Sequence, residues 1–261
     1  MRHVLHHGIF VRGFGRPDGS RTVLWIHGLG ESGLCFEGLL DRPDLAHWRH
    51  VAADLPGYGR TAWPTAPLTL SDQADLLADL VSDLGTGPVV VAGHSMGGVT
   101  ALLFAERHRS LVRGVVDVDG NKSPDDCTFS GQAAAQDLAE FVAGGFDALR
   151  DRVYRAGVDD PAQRGYFASL RLADPATYHR NSRELMSLSA KPGDLAERLA
   201  ALACPRVYVA GTPGGASALS RGLLDAARVP VLEVAPAGHW PFLDEPDGFA
   251  AALREFLAEV E

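Results

Sequence analysis

Cysteine, lysine and long apolar segments are scarce in this chain of 261 residues, and each shortage narrows what the protein can be. No stretch approaches the roughly 20 uncharged apolar residues of a transmembrane helix, and the N-terminal residues lack the apolar core of a signal peptide. The three cysteines are far apart and show no metal-ligand spacing, so we expect free thiols and no bound metal. These shortages predict a cytoplasmic protein that contacts no membrane.

Positive charge is scarce as well. The chain carries 24 lysines and arginines against 33 acidic residues, which gives a net charge of −9, and it has no run of basic residues. Nucleic acids and polyphosphates attract positive surfaces, so we expect neither as a partner. Only Lys122 and Lys191 are lysines, an imbalance that we attribute to GC-rich coding rather than to function.

The composition is otherwise that of an ordinary globular protein, with 46% hydrophobic and 22% charged residues. A chain of this length buries roughly 70–75% of the surface that it exposes when unfolded. It therefore needs neither disulfides nor a structural metal to fold. We expect one large domain, or one domain that carries an insertion.

Short apolar runs alternate with helical patterns along most of the chain, which favours a mostly parallel α/β sheet flanked by helices. The clearest helix begins after Thr69, which forms a capping-box pattern with Asp72, and is expected to end at Gly85. The apolar run at 88–93 suits a central strand buried on both faces, and residues 16–19 suit a turn. Further strands are predicted at 9–14, 22–27, 50–53, 112–118, 206–210 and 231–235, and further helices at 96–107 and near the C-terminus.

Residues 121–202 interrupt this alternation, because they contain no convincing strand. Helical patterns at 133–143, 146–156, 162–172 and 176–189 are separated there by glycines and prolines. About eighty residues are more than one crossover between strands requires. We therefore predict that a helical cap of residues 121–202 is inserted into a core of residues 1–120 and 203–261; ordinary crossover helices are the alternative.

The motif with the most specific chemistry is Gly93-His94-Ser95-Met96-Gly97, which fits Gly-x-Ser-x-Gly and lies between the strongest strand and a helix. In this context a sharp turn projects the serine Oγ over the edge of the sheet. The N-terminus of the following helix offers free N–H groups and a positive dipole end to a developing oxyanion. Ser95 is therefore the predicted nucleophile, and a chance glycine-rich loop is the alternative.

A serine hydroxyl needs a base to act as a nucleophile. Among ten histidines, His239 is the candidate because it closely follows the last predicted strand. Loops that follow parallel strands lie at the same edge of a sheet, so His239 can approach Ser95. The adjacent His94 is expected to point away from the serine, and we interpret the other histidines as surface or core residues.

Four segments together make the chain resemble an α/β-hydrolase-fold protein over essentially its whole length. They are His27-Gly28-Leu29-Gly30, Asp54-Leu55-Pro56-Gly57-Tyr58-Gly59, the Ser95 motif with Gly98, and Gly238-His239. The order of nucleophile before histidine fits that family. The resemblance implies an oxyanion hole made of two backbone N–H groups, which here belong to Leu29 and Met96.

The sequence departs from the family pattern at the acid of the triad. The family commonly places this acid just after the strand predicted at 206–210, but residues 211–217 hold no carboxylate. A histidine base still needs an acceptor for its Nδ1–H. In haloalkane dehalogenases and some lactone-cleaving enzymes of the family, the acid instead lies at the carboxyl end of the strand that follows the nucleophile helix. Asp119 is at the matching position here, so the resemblance implies that Asp119 is the acid. Asp117 lies roughly 6–7 Å further back along this strand, and Asp125, Asp126 and Asp244 are alternatives.

The residue type of the nucleophile excludes two reactions of this family. Dehalogenases and epoxide hydrolases of this fold carry an aspartate at the position of Ser95. Ser95 favours acyl transfer, and the resemblance implies hydrolysis of a carboxylic ester or lactone through an acyl-enzyme, with no cofactor. Gly28, Leu29, Met96 and Trp240 are expected to bind the substrate, a mid-sized and fairly apolar small molecule. The alternatives are a thioesterase, acyltransferase or aminopeptidase of the same fold, a lyase, or a small-molecule receptor. The oligomeric state is not predicted.

Overall fold

The computed structural model describes residues 2–15 and 21–261, so the turn predicted at 16–19 lies outside the described residues. One sheet contains eight strands: β1 (Arg2–His6), β2 (Ile9–Gly15), β3 (Thr22–Ile26), β4 (Arg49–Ala53), β5 (Val89–His94), β6 (Val112–Val118), β7 (Arg206–Gly214) and β8 (Val231–Gly238). Their order across the sheet is β1-β2-β4-β3-β5-β6-β7-β8. The pairs β1–β2 and β2–β4 are antiparallel and the others are parallel. The predicted mostly parallel sheet is confirmed.

Helices flank this sheet and connect its strands. They are α1 (Glu37–Leu40), α2 (Leu70–Asp83), α3 (Met96–Arg107), α4 (Thr128–Ala134), α5 (Leu138–Glu140), α6 (Phe146–Ala156), α7 (Pro161–Leu170), α8 (Pro175–Ser189), α9 (Asp194–Ala200), α10 (Ala218–Ala226), α11 (Pro241–Asp244) and α12 (Pro246–Glu259). Short 3₁₀ turns occur at Gly33–Phe36, Pro43–Leu45, Arg109–Leu111 and Pro124–Asp126, and a π-helical turn at Phe141–Gly145 leads into α6. Within the described ranges, none of the helices has the length and apolar character that a membrane crossing demands.

Local signals place α2 and β5 where the sequence predicts them. The Thr69 side chain accepts a hydrogen bond from the Asp72 N–H at 3.1 Å, and the Asp72 carboxylate accepts the Thr69 N–H at 2.8 Å. This reciprocal pair satisfies two backbone donors that the first turn of a helix leaves free. Every residue of β5 is buried, because this strand lies between β3 and β6.

Three strands differ from the prediction by more than one residue at an end. β1 was not predicted, because nearly all of its residues are exposed and give no apolar alternation. β7 and β8 continue past their predicted ends at 210 and 235, since Pro213 pairs with Ala237 and Gly214 with Gly238. Glycine and proline in this stretch are typical of a loop, yet the two strands remain paired until the residue before His239.

The regular elements between β6 and β7 are helices joined by short turns, and the described residues 119–205 contain no strand. The patterns at 146–156, 162–172 and 176–189 correspond to α6, α7 and α8. The pattern at 133–143 is broken, because α4 ends at Ala134 and Asp137 then caps a new turn by accepting the Glu140 N–H at 2.8 Å. Helices α4 and α8 pack against each other, whereas α9 packs against α3, α8 and α10.

An aromatic cluster connects the core to the carboxyl edge of the sheet. Trp25 on β3 packs against Phe36 and Phe249, with ring centroids 5.0 and 6.4 Å apart. Phe242 packs against both phenylalanines and also against the His94 ring, whose centroid lies 5.1 Å away in an edge-on arrangement. The position of His94 beside the predicted nucleophile is therefore fixed by the core.

Candidate active site

Ser95, Asp119 and His239 each follow directly after a strand, namely β5, β6 and β8. The Ser95 N–H donates to the Val118 carbonyl at 2.9 Å, and the Asp119 N–H donates to the Val209 carbonyl at 3.0 Å. Because these strands are parallel, their carboxyl ends meet at one edge of the sheet. The topology therefore brings all three residues to that edge.

The backbone of Ser95 adopts a conformation that non-glycine residues rarely take, with φ of 53° and ψ of −117°. Such residues cost about 1–3 kcal/mol and persist only where the surroundings hold them. Here α3 lies so close to β3 that a side chain at position 97 would overlap the Ile26 carbonyl oxygen, which explains Gly97. The turn between β5 and α3 has the sharp geometry that the Gly-x-Ser-x-Gly motif predicts.

A small cavity lies beside Ser95. Its free volume of about 30 Å³ is room for only about two water molecules. Leu29 and Trp240 line it together with Ser95 and His239, whereas the predicted binding residues Gly28 and Met96 do not. The full lining is Leu29, Glu31, Ser95, Asn121, Asp126, Thr128, Phe129, Ser130, Tyr166, Leu185, His239 and Trp240.

His239 lines the same cavity as Ser95, but its imidazole is not hydrogen-bonded to the other two predicted catalytic residues. In the part of the chain that the structure describes, no hydrogen bond joins its ring to the Ser95 hydroxyl or to the Asp119 carboxylate. Burial and the positive charge of His94 lower the pKa of His239 to about 3. The ring is therefore neutral at ordinary pH, which is the form that can accept a proton.

The Asp119 carboxylate lies against the loop at 211–217, which is the loop that lacks the carboxylate common in this family. Its carboxylate is 2% exposed and accepts the N–H groups of Gly211 at 3.1 Å and Ala216 at 2.9 Å. A side chain at Gly215 would overlap this carboxylate. Burial raises the pKa of Asp119 to about 7, although the Gly211 hydrogen bond and the charge on His94 oppose the rise. The loop that lacks an acid thus supplies hydrogen-bond donors and space for an acid from β6.

Asp126 is the alternative acid that lies nearest to the site, because it lines the cavity with His239. Its oxygens already accept four hydrogen bonds, from the N–H groups of Lys122 (2.8 Å), Ser123 (3.2 Å) and Ser217 (3.1 Å) and from the Ser220 hydroxyl (2.6 Å). Burial opposes its ionisation, but these donors outweigh burial and lower the pKa of Asp126. The other two alternatives lie outside the cavity lining: Asp125 is exposed, and Asp244 accepts the Gly238 N–H at 2.7 Å.

Asp117 is buried beneath the site in an ion pair. Its carboxylate accepts Lys122 Nζ at 2.7 Å, and this ammonium group also donates to the Gly120 and Asn121 carbonyls at 3.0 and 3.1 Å. The Tyr208 hydroxyl donates to the Gly120 carbonyl as well, at 3.1 Å. These bonds fix the turn that carries Asp119, whose φ is 44°.

Two backbone N–H groups are available where the sequence predicts the oxyanion hole. Met96 is the first residue of α3, so its N–H has no acceptor within the helix. Among the described residues, the Leu29 N–H makes no hydrogen bond. The loop around Leu29 is held by the His27 ring, which contacts the Gly28 carbonyl at 2.8 Å and accepts the Leu55 N–H at 3.0 Å.

Sequence reasoning missed a buried ion pair between Glu31 and His94. The Glu31 carboxylate accepts the Gly28 N–H at 2.7 Å and the Trp240 indole N–H at 2.5 Å, and it lies 3.0 Å from His94 Nδ1. His94 Nε2 lies 2.7 Å from the His239 carbonyl oxygen. Because both partners of the His94 ring are acceptors, both of its nitrogens carry protons.

Each residue of this pair stabilises the charged form of the other. Burial acts against both charged forms, yet the His94 cation and the hydrogen bonds lower the pKa of Glu31 to about 2, and Glu31 in turn raises the pKa of His94. The pair joins the Gly28 loop, the turn at Ser95 and the loop of His239. No spacing in the sequence links residues that are 63 positions apart, so only the fold reveals this contact.

Comparison with known proteins agrees with this architecture. The chain is 28% identical to a pimeloyl-[acyl-carrier protein] methyl ester esterase of Neisseria meningitidis serogroup C, over 94% of this chain and 96% of the esterase. It is 39% identical to lipase LipV of Mycobacterium tuberculosis over 40% of this chain, which spans only 38% of the lipase. The fold is that of the enol-lactonase from Burkholderia xenovorans LB400, with a TM-score of 0.78 and 20% identity over 98% of this chain and all (100%) of that one. Residues 23–252 match the alpha/beta hydrolase family, and with its eight-stranded sheet and sharp turn at Ser95 the chain belongs to that family.

Proposed function

We propose that this protein is a serine hydrolase that cleaves a carboxylic ester or lactone of a small molecule through an acyl-enzyme. The observation that carries the proposal is the strained turn at Ser95, which opens into the same cavity as a neutral His239. A backbone held in this conformation stores free energy without any benefit to packing, so it indicates a functional constraint. The named relatives, an esterase, a lipase and a lactonase, agree with acyl transfer.

In the proposed reaction, the Ser95 oxygen attacks the substrate carbonyl carbon while His239 takes the hydroxyl proton. The oxyanion that forms accepts hydrogen bonds from the N–H groups of Leu29 and Met96. His239 then gives its proton to the leaving alcohol and afterwards takes one from the water that hydrolyses the acyl-enzyme. Asp119 accepts the Nδ1–H of His239 and stabilises its charged form. This cycle requires the His239 ring to turn toward Ser95 and Asp119, a tightening that is common when substrate binds.

Substrate access is proposed to depend on the helices between β6 and β7. Phe129 on α4, Tyr166 on α7 and Leu185 on α8 line the cavity, whose free volume of about 30 Å³ is too small for an ester of several carbons. We therefore treat residues 121–202 as a cap over a core of residues 1–120 and 203–261. A mid-sized substrate enters only when side chains of the cap move.

The proposal is tested with chromogenic short-chain esters and a γ-lactone. We expect hydrolysis by the native protein and a loss of roughly 10³-fold or more in kcat for Ser95→Ala. Ser189→Ala is a matched control, because Ser189 is buried in α8 and does not line the cavity. Activity that survives within tenfold in Ser95→Ala would contradict the proposal, and tight binding of the esters without turnover would favour a receptor.

A further inference from the structure

The cavity beside Ser95 is lined by both apolar and polar side chains. Leu29, Phe129, Leu185 and Trp240 form the apolar part. Asn121 and Ser130 also line the cavity, and their side chains are only 4% and 3% exposed. Polar side chains that are this deeply buried are normally hydrogen-bonded within the protein.

Asn121 does not follow this rule. Its Nδ2 lies 3.5 Å from the Cys127 sulfur, and its Oδ1 has no hydrogen-bond partner in the described residues. The residue cannot easily swing away, because its own carbonyl and that of Gly120 are both held by Lys122 Nζ. The fold therefore keeps an unsatisfied amide oxygen on a residue that lines the same cavity as Ser95.

Ser130, on α4, is a second polar group in the lining, and its hydroxyl oxygen is less completely buried than Asn121 Oδ1. Within the described ranges this hydroxyl makes no hydrogen bond, although serines in helices often bond to the carbonyl four residues earlier. Leaving Asn121 Oδ1 unpaired away from water is costly, and a bound molecule that offers a donor removes the cost, while the Ser130 hydroxyl is free to bond to the same molecule.

The charges around the cavity indicate what kind of molecule fits. None of the described residues that line it is a lysine or an arginine. The Asp126 carboxylate adds a negative charge, whereas the charge on Glu31 is balanced by His94. A substrate that places a carboxylate here would be repelled and would find no cation. A cationic group would find the Asp126 oxygens already occupied by four hydrogen bonds, so we infer a neutral occupant.

We propose that Asn121 and Ser130 form a polar subsite that binds a hydroxyl or amide group of a neutral ester or lactone. The cavity is small, so only a few atoms separate this group from the carbonyl that Ser95 attacks. This inference rests on the proposed function and adds to it a substrate class, namely neutral acyl compounds with a hydrogen-bonding group close to the scissile carbonyl.

The test compares p-nitrophenyl butyrate with both enantiomers of p-nitrophenyl 3-hydroxybutyrate, which differ from it by one hydroxyl. We expect the native protein to prefer the better hydroxylated enantiomer by about tenfold in kcat/KM, the scale on which satisfying one buried polar group acts. In Asn121→Leu the preference, expressed as the ratio of kcat/KM for the hydroxylated ester to kcat/KM for the butyrate, should fall below about threefold, since the hydroxyl contact is lost.

Two serine variants make the result decisive even if Asn121→Leu does not fold. Ser130→Ala removes one hydroxyl from the subsite and should lower the preference. Ser189→Ala removes a buried, unpaired hydroxyl that does not line the cavity, and it should leave the preference unchanged. The subsite is wrong, and the proposed function stands, if the native protein hydrolyses the butyrate but prefers the hydroxylated ester by less than threefold. The same conclusion follows if the preference survives in every variant that folds. If the protein hydrolyses none of the three esters, the proposed function fails and the inference fails with it.

Discussion

Replacement of Asp119 by asparagine should stop catalysis and make the protein more stable. The carboxylate is buried and has no cationic hydrogen-bond partner in the described part of the chain, and its pKa of about 7 lies well above the usual value of 3.8. For an acid whose pKa is raised by folding, the folded state holds its proton more tightly than the unfolded state. Stability is therefore lost as the pH rises from about 4 to about 7.

The size of the gain follows from this shift. At pH 8, where the carboxyl is ionised in the folded protein, the shift costs about 4 kcal/mol of stability. At pH 5 the folded protein holds the proton that the unfolded chain has released, and the cost is about 2 kcal/mol. Asparagine keeps an acceptor for the Ala216 N–H but turns a donor toward the Gly211 N–H, which costs about 1–2 kcal/mol. The net gain is about 2–3 kcal/mol at pH 8 and about zero at pH 5, which corresponds to a rise in Tm of about 4–12 °C at pH 8 only.

Thermal unfolding at both pH values and kcat with a short-chain ester test this prediction together. We expect kcat to fall by about 10⁴-fold, the scale for a triad acid converted to its amide. The native protein should also lose kcat/KM below about pH 7, because protonation of Asp119 removes the acceptor for His239. Asp125→Asn, at an exposed carboxylate, is the control and should change neither quantity. A lower Tm for Asp119→Asn at pH 8, or kcat within tenfold of the native value, would refute the reasoning.

Two further predictions concern the buried ion pairs. Glu31→Gln and His94→Gln should each lower kcat by about 10–100-fold. The double variant should lose no more activity than the worse single variant, because the two residues act as one unit. Losses that multiply in the double variant would show that the two residues have independent roles. Lys122→Met leaves Asp117 as an unpaired buried charge, so the free energy of unfolding measured with urea should fall by about 3–5 kcal/mol. Lys191→Met is its control: Lys191 is 77% exposed in its ion pair, and the variant should change this free energy by less than about 1 kcal/mol.

Local patterns were sufficient to predict much of the fold. The apolar run of β5, the capping box of α2 and the Gly-x-Ser-x-Gly turn depend on residues that are adjacent in the chain. The position of His239 at the same edge as Ser95 follows from the mostly parallel sheet, which the structure confirms. β1 could not be predicted, because its residues are nearly all exposed and do not alternate between apolar and polar.

The contacts that complete the site could not be predicted, because they join distant segments. Asp119 is held by N–H groups that lie 92 and 97 residues further along the chain. The partner of His94 is 63 residues away, and the unsatisfied amide of Asn121 is visible only once its surroundings are known. Residue types at strand ends therefore predict which groups meet, but not how each group is held or charged.

The identity of the nucleophile is the central claim, and covalent labelling tests it most directly. A fluorophosphonate that reacts with activated serines should add to the native protein once, and peptide mass spectrometry should place the adduct on Ser95. Ser95→Ala should remain unlabelled under the same conditions. An adduct on another residue, or a native protein that hydrolyses esters while Ser95 stays unmodified, would contradict the account.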